Sequence, residues 1–295
     1  MSTEATSEKT WSAERPSRAV LDINVDMTRN REWEQWVLLT SDRHHDNPKT
    51  KRELEYAHLA ECRQRNGLTF DAGDFFCAMQ GKYDKRSDKS SVREEHQVND
   101  YLDALVRTTV DDFAPYADMM AGVARGNHED SILKNHETDL IERFTQSISD
   151  KSGSKVHSMG YTGWVRFRFF DGPFRKTVKL WYTHGYGGGG PVTLGTIQHN
   201  RKQIYLPDAD IILGGHIHER WTLERARLRL TDAGRTVHDF VTHITNPTYK
   251  EEYGDGFGGW HISRGGPPKP VGATWLRFFW SPRHGDIHYE ITPAR

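Results

Sequence analysis

The histidines His216 and His218 form an H-x-H pair directly after an apolar segment. They belong to the stretch GGHIHER, residues 214–220, which follows the apolar run ADIIL. In a β-strand, residues i and i+2 point to the same face, so the two imidazole rings would project together beyond the end of the sheet. This spacing is typical of metal ligands. The alternative is a pair of solvated or hydrogen-bonded surface histidines, and the other motifs of the chain decide between the two.

Further potential metal ligands stand at the ends of other predicted strands. In chain order they are Asp42 and His44 in SDRHHDN, Asp74 in AGDFF, Asn127 and His128 in ARGNHED, and His184 in YTHG. In open α/β sheets, ligands bind beyond the carboxyl ends of the strands, so we expect these groups to converge on one crevice. Imidazole and carboxylate ligands suit Zn, Mn, Fe or Ni.

Composition excludes several other classes of protein. Only two cysteines are present, Cys62 and Cys77, without a C-x-x-C motif, which excludes a disulfide framework and a thiolate zinc site. Lys plus Arg (40) nearly balance Asp plus Glu (41), so no global field favours nucleic acid, and long duplex DNA is disfavoured. No segment approaches the roughly 18 apolar residues of a membrane span, and the N-terminus has no apolar signal region. We expect a cytoplasmic protein without a membrane partner, whose oligomeric state the sequence does not indicate.

The hydrophobic pattern predicts alternating strands and helices, followed by a strand-rich half. Residues 1–18 are interpreted as a flexible lead-in and residues 19–295 as a single domain. Helices are predicted over 47–66, with Asn47 as the cap and Pro48 near the first helical position, over 90–117 and over 128–150. From about residue 163, strands follow with few helices between them. This order predicts a layered α/β fold in which two sheets pack together with helices outside.

The ordered set D-x-H, G-D, G-N-H-E, H-G and G-H-x-H resembles the motifs of the calcineurin-like metallophosphoesterase superfamily, over residues 37–220. The stretches HDNPKTKRELEYAHL and GDFFCAMQGKYDKRS also resemble phage-encoded members. The resemblance implies a four-layer αββα sandwich of two mixed sheets flanked by helices, with two divalent metal ions, among which we favour manganese. It implies one ion held by Asp42, His44 and His218, the other by Asn127, His184 and His216, and a bridge through Asp74. His216 and His218 would then serve neighbouring ions.

The predicted activity is hydrolysis of a P–O bond by a metal-bound hydroxide. Two ions about 3.5 to 4 Å apart need a bridging anionic oxygen, which Asp74 can supply and an imidazole cannot. A phosphodiester substrate, either a nucleotide or a nucleic acid, is slightly favoured, and a small phosphomonoester is the alternative. A non-catalytic metal-binding scaffold is the alternative of another class. Loss of ligands would mark that scaffold, and every ligand of the motif set is present.

His128 matches the family histidine proposed to protonate the leaving oxygen. The chain departs here from the G-D-x-x-D-R-G motif of the phosphoprotein phosphatases, because Cys77 replaces the carboxylate that orients this histidine and the arginine is missing. The departure disfavours a Ser/Thr protein phosphatase and favours the exonuclease and phosphodiesterase branches. It leaves Glu129 and Asp130 as candidates to orient His128.

Three further features have two readings each. The loop QGKYDKRSDKS offers Lys82 and Arg86 for contacts with substrate phosphate, or is a solvated charged loop. GYGGGG, residues 185–190, brings backbone amides close to a phosphate, or is a flexible connector. His45, next to His44, is a loop residue or replaces His44 as the metal ligand.

Overall fold

Two mixed β-sheets form the centre of the chain. The computed structural model describes residues 9–80, 89–190, 192–254, 260–263 and 265–295. The strands of the first sheet are Trp11–Ser17 (β1), Val20–Asp26 (β2), Thr162–Asp171 (β7), Phe174–Thr183 (β8), Ile211–Gly214 (β9), Trp221–Leu230 (β10) and Thr236–Thr245 (β11). Those of the second are Glu34–Thr40 (β3), Leu68–Asp71 (β4), Met120–Ala124 (β5), His157–Met159 (β6), Ala273–Ser281 (β12) and Asp286–Ala294 (β13). The strand orders are β1-β2-β7-β8-β9-β11-β10 and β13-β12-β3-β4-β5-β6.

Helices cover the outer faces of both sheets. They are Arg52–Gln64 (α1), Tyr101–Phe113 (α2), Asn127–His136 (α3), Leu140–Ser152 (α4), Thr196–Tyr205 (α5) and Trp260–Ser263 (α6). Residues of α1, α2 and α4 pack against the second sheet, whereas α5 contacts β11 of the first. The predicted four-layer αββα sandwich is therefore confirmed. None of the helices in the described ranges has the length and apolar composition that crossing a membrane requires.

Alternation along β3 shows how one strand serves two cores. Leu38 packs with the helices on the outer face, while Val37 and Leu39 pack between the sheets with residues of the first sheet such as Phe167. Successive side chains of a strand point to opposite faces, so a strand buried on both faces carries an uninterrupted apolar run. The run WVLL of β3 has this form.

The structure corrects four predicted boundaries. The helix predicted over 90–117 spans only Tyr101–Phe113, with short 3₁₀ turns before and after it. Residues 11–17, interpreted as part of a flexible lead-in, form β1, which pairs with β2. The helix predicted from Asn47 begins only at Arg52, because the Asn47 side chain accepts a hydrogen bond from the Lys49 amide and stabilises a turn. The helix predicted over 128–150 is two helices, because the Asp139 side chain caps a new helix at Leu140.

A buried arginine ties the end of β3 to its neighbours. Arg43, of which 1% is exposed, donates to Glu55 of α1 at 2.6 Å and to Asp71 of β4 at 2.8 Å. It also donates to the Thr40 hydroxyl at 3.0 Å. Since Arg43 lies between Asp42 and His44, this network fixes the segment that carries both predicted ligands.

Arg43→Met should destabilise the fold strongly, because it leaves the carboxylates of Glu55 and Asp71 buried without their shared cation. We expect a loss of about 3–5 kcal/mol in the free energy of unfolding, measured by urea denaturation of metal-free protein. The matched control is Arg277→Met, which breaks partly exposed pairs with Glu34 and Glu290 and should cost less than about 1 kcal/mol. Equal losses in the two variants would show that the Arg43 network does not hold this segment.

Candidate metal centre

The predicted ligands stand where strands of the two sheets end. Asp42 follows β3, Asp74 follows β4 and Asn127 follows β5, all in the second sheet. His184 follows β8 and His216 follows β9 in the first sheet, where these two strands are parallel. Parallel strands end at the same edge of their sheet. The ligand-bearing edges of the two sheets face one place, where these side chains meet. The predicted position at the carboxyl ends of strands is what the structure shows.

One group of potential ligands is formed by Asp42, His44 and His218. Their ligand atoms all lie within 4.8 Å of one another. His218 Nε2 is 3.2 Å from Asp42 Oδ1, and the ring centroids of His44 and His218 are 5.4 Å apart. A carboxylate oxygen and two imidazoles at this spacing can hold one divalent ion.

The second group contains Asp74, His184 and His216, with ligand atoms also within 4.8 Å of one another. Asn127 joins it, because its Oδ1 lies 3.0 Å from His184 Nε2 and 2.7 Å from His216 Nδ1. His184 Nε2 is 3.1 Å from Asp74 Oδ2 and 3.9 Å from Asp42 Oδ1. The two groups are thus adjacent, and all seven predicted ligands lie together. That they bind metal ions, and which of them binds which ion, stays a prediction.

His45, the alternative to His44, has both ring nitrogens occupied elsewhere. Its Nδ1 is 2.7 Å from Glu55 and its Nε2 is 2.9 Å from Asp112. The ring belongs to the buried network around Arg43 and is not in either ligand group. The structure therefore favours His44 over His45 as the ligand.

Five of the seven predicted ligands have a left-handed backbone. Their φ angles are 51° at Asp42, 47° at His44, 54° at Asp74, 72° at His216 and 54° at His218. This conformation is uncommon for residues other than glycine and is found at functional sites when the surroundings enforce it. It also corrects the strand argument for the H-x-H pair, because β9 ends at Gly214 and both histidines lie in the following loop.

Hydrogen bonds between loops hold the left-handed residues in place. The Asp42 amide donates to the Gly73 carbonyl at 2.8 Å, and the His44 amide donates to the Asp74 carbonyl at 3.0 Å. The Asp42 carbonyl accepts from the Thr248 hydroxyl at 2.7 Å. Three separate loops therefore fix Asp42 and Asp74 relative to each other.

Two glycines of the motifs are required by close packing. A Cβ added to Gly126 would lie 2.1 Å from Asp74 Oδ1, and one added to Gly215 would lie 2.6 Å from Asp42 Oδ2. Any larger residue would therefore displace a predicted ligand. This contact is the physical reason for the glycines in G-N-H-E and G-H-x-H.

The buried carboxylates of the centre require positive charge nearby. Burial alone would raise the pKa of Asp74, but His184 and His128 hold it well below its usual value. Burial would lower the pKa of His184, whereas Asp74 and Asp42 raise it to about 10. His184 is thus protonated at pH 7, and an ion that binds it must displace a proton. Within the described residues His44 Nδ1 is buried without a hydrogen-bond partner, and Asp42 Oδ1 faces the His218 ring at 3.2 Å, so these residues fit a divalent ion well.

His128 lies at the rim of the centre, with 15% of its side chain exposed. Its Nδ1 donates to the backbone carbonyl of Cys77 at 2.5 Å, and its Nε2 lies 3.8 Å from Asp74 Oδ2. Glu129 instead accepts from the amides of Phe76 and Gly126. Asp130, the other predicted candidate, lies 3.6 Å from Arg125. The main-chain carbonyl of Cys77 is therefore the group that orients the Nδ1 side of His128.

Lys250 lies next to the centre and was not predicted as a site residue. Its backbone bridges to Thr50, whose hydroxyl donates to the His44 carbonyl at 2.6 Å. Burial, His128 and His218 lower the pKa of His44, and the charge of Lys250 contributes to the same shift. Lys250 belongs to a Gly- and Pro-rich stretch that matches no motif. The predicted phosphate contacts Lys82 and Arg86 lie outside the described residues.

Comparisons with solved structures give similarities at low identity. Vps29 from Entamoeba histolytica complexed with Zn²⁺ is 11% identical, with a TM-score of 0.32 over 88% of this chain and 99% of that one. A predicted phosphoesterase from Streptococcus pneumoniae TIGR4 is 11% identical, with a TM-score of 0.31 over 88% and 98%. GAP50 of Plasmodium, an anchor in the inner membrane complex, is 9% identical, with a TM-score of 0.44 over 89% and 85%. No family model and no curated protein matches the chain.

Asp74→Asn should abolish the binding of a pair of ions, because an amide cannot supply the negative oxygen that a bridge requires. Elemental analysis after reconstitution should give clearly less metal per chain than in the wild type. The control is Asp22→Asn, which makes the same change at a buried aspartate paired with Arg166, away from the centre. Full metal content in Asp74→Asn would remove Asp74 from the ligand set.

Proposed function

We propose that the protein is a phosphoesterase with a dinuclear metal centre, acting on phosphodiesters. The observation that carries this proposal is the convergence of two ligand groups around the buried carboxylates Asp42 and Asp74, with His128 at the rim. Two divalent ions bound there would supply Lewis-acid activation of a water molecule and neutralise phosphate oxygens. The remaining chemistry belongs to residues of the chain itself.

His128 is the group suited to protonate the leaving oxygen. The Cys77 carbonyl can only accept a hydrogen bond, so Nδ1 carries a hydrogen and Nε2 is the nitrogen that faces the centre. The His128 side chain is partly exposed at the rim, on the side from which a substrate would approach. A carbonyl orients the ring but does not stabilise its cation as a carboxylate would, so we expect a moderate contribution to the rate.

Lys250 is the cation that would bind the phosphate in this proposal. About 15% of its side chain is exposed, and its ammonium pairs with Glu252 at 2.5 Å. Burial lowers the pKa of Lys250, but Cys77 and Glu252 raise it above its usual value, so the charge is present at neutral pH. In this proposal the Lys250 ammonium supplies the positive charge for binding phosphate that the arginine of the phosphatase motif, missing here, would otherwise supply.

A hydrolysis panel tests the proposal directly. Metal-stripped protein is resupplied with Mn, Fe, Zn or Ni in turn and assayed on bis(4-nitrophenyl) phosphate and on 4-nitrophenyl phosphate. We expect turnover that depends on the ion and is faster on the diester. Faster turnover of the monoester would make the protein a phosphomonoesterase. Bound ions without turnover of either ester would contradict the proposed activity.

His128→Ala should lower kcat on an alkyl phosphodiester by about 10², near the lower end of the range for a positioned acid, and leave the metal content unchanged. A 4-nitrophenyl ester should lose much less, because its leaving oxygen needs little protonation. His284→Ala, on the exposed β12–β13 turn, is the control and should change neither rate. Equal losses on both esters would show that His128 is not the acid.

Lys250→Met should raise KM at least about tenfold without loss of bound metal, because the substrate loses a charge-assisted contact. Lys250→Arg should retain most of the affinity. The control Lys176→Met breaks a comparable pair with Asp286, outside the centre. Unchanged KM in Lys250→Met would exclude Lys250 from phosphate binding.

A further inference from the structure

A narrow cleft lies beside the metal centre, between the loop that follows β8 and helix α5. Its walls include Gly185, Gly188, Gln198, His199, Lys202 and Gly215. Gly185 directly follows His184, and Gly215 directly precedes His216, so one wall of the cleft is shared with the metal centre. The cleft is therefore within reach of a substrate bound at the centre.

The cleft contains a buried cation. Lys202 is only 4% exposed, and no acidic side chain of the described residues forms an ion pair with it. Its ammonium lies 5.9 Å from the centre of the Trp181 ring. Burial lowers the pKa of Lys202 to about 8. A buried ammonium without a carboxylate partner costs free energy unless an anion or water solvates it.

Two further polar atoms of the cleft lack a partner in the described part of the chain. They are Gln198 Oε1 and His199 Nδ1, both buried. His199 is only 4% exposed, its Nε2 lies 3.3 Å from the Thr245 hydroxyl, and its ring packs edge-on against Trp221. Buried polar groups in native proteins are nearly always hydrogen-bonded, so a group of unpartnered ones indicates a ligand or ordered water.

Size and charge restrict the occupant. The cavity volume of about 20 Å³ is room for about one water-sized atom. Burial lowers the pKa of His199 to about 2, so this ring is neutral and Lys202 alone sets the charge. The Gln198 amide can turn its NH₂ group toward an acceptor. These features favour one negatively charged oxygen, inserted from the open side.

We propose that this cleft is an anion subsite that accepts one oxygen of a phosphate group, with Lys202 as its counter-charge. The phosphate is either a second phosphate of the substrate or free inorganic phosphate. The first source rests on the proposed phosphoesterase function, whereas the subsite itself does not.

Calorimetric titration of the full, metal-loaded chain with inorganic phosphate tests the subsite. We expect two binding events. One should disappear when the metals are removed, and the other should disappear in the variant Lys202→Met. Arg201→Met, which removes an exposed cation from the next position of α5, should keep both events. If Lys202→Met binds phosphate as the wild type does, the subsite is excluded. A Lys202-dependent event without a metal-dependent one would uphold the subsite and count against the metal centre.

Folding of the variant is checked by its melting temperature. Since Lys202→Met removes a buried, unpaired charge and nearly preserves shape, it should melt at the wild-type temperature or above it. Lys202→Gln is the second variant and should lose the same binding event. A retained event in either folded variant overturns the role of Lys202.

Kinetics distinguish the two sources of phosphate. Thymidine 5′-(4-nitrophenyl phosphate) is compared with its 3′-phosphorylated counterpart. We expect a KM at least about fivefold lower for the 3′-phosphorylated ester, and the difference should vanish in Lys202→Met but persist in Arg201→Met. Equal KM values, together with a Lys202-dependent calorimetric event, would exclude the substrate phosphate as occupant and assign the subsite to free phosphate.

Discussion

Two carboxylates, Asp42 and Asp74, are buried side by side where the two sheets meet, and the rest of the centre compensates for their charge. Burial raises the cost of ionising both, and the charge of Asp74 adds to that cost at Asp42. His184, whose pKa the two carboxylates raise to about 10, supplies part of the opposite charge. Both carboxylates stand on residues with a left-handed backbone. Divalent ions bound at the centre would neutralise the two carboxylates more completely than protons do.

Much of this arrangement could be predicted from the sequence. Asp42, Asp74, Asn127 and His184 each follow an apolar run that forms a strand. Residues that follow parallel strands lie at the same edge of the sheet. The order of the motifs indicated which residues meet across the two sheets. A layered fold of two packed sheets with helices outside followed from alternating units that give way to a strand-rich half, and the resemblance of the motifs implied its four-layer αββα form.

Other features depend on contacts that a linear pattern does not contain. The predicted reason for the pairing of His216 and His218 was strand geometry, whereas both residues lie after β9 with positive φ and belong to different ligand groups. Strand β10 was missed because the apolar residues of the Arg-rich WTLERARLRL change phase after Leu223 and so break the alternation expected of a strand. Helix α5 was missed because TIQHNRKQIY contains few apolar residues. Cys77 orients His128 through its carbonyl, which side-chain identity could not indicate.

The most direct test of the central claim is electron paramagnetic resonance of the protein reconstituted with Mn²⁺, together with metal counting. Two ions per chain about 3.5 to 4 Å apart, bridged by Asp74, should give the spectrum of an exchange-coupled pair. This is the result that the account predicts. Two equivalents of manganese with the spectrum of isolated ions, or a single bound ion, would contradict a dinuclear centre at Asp42 and Asp74.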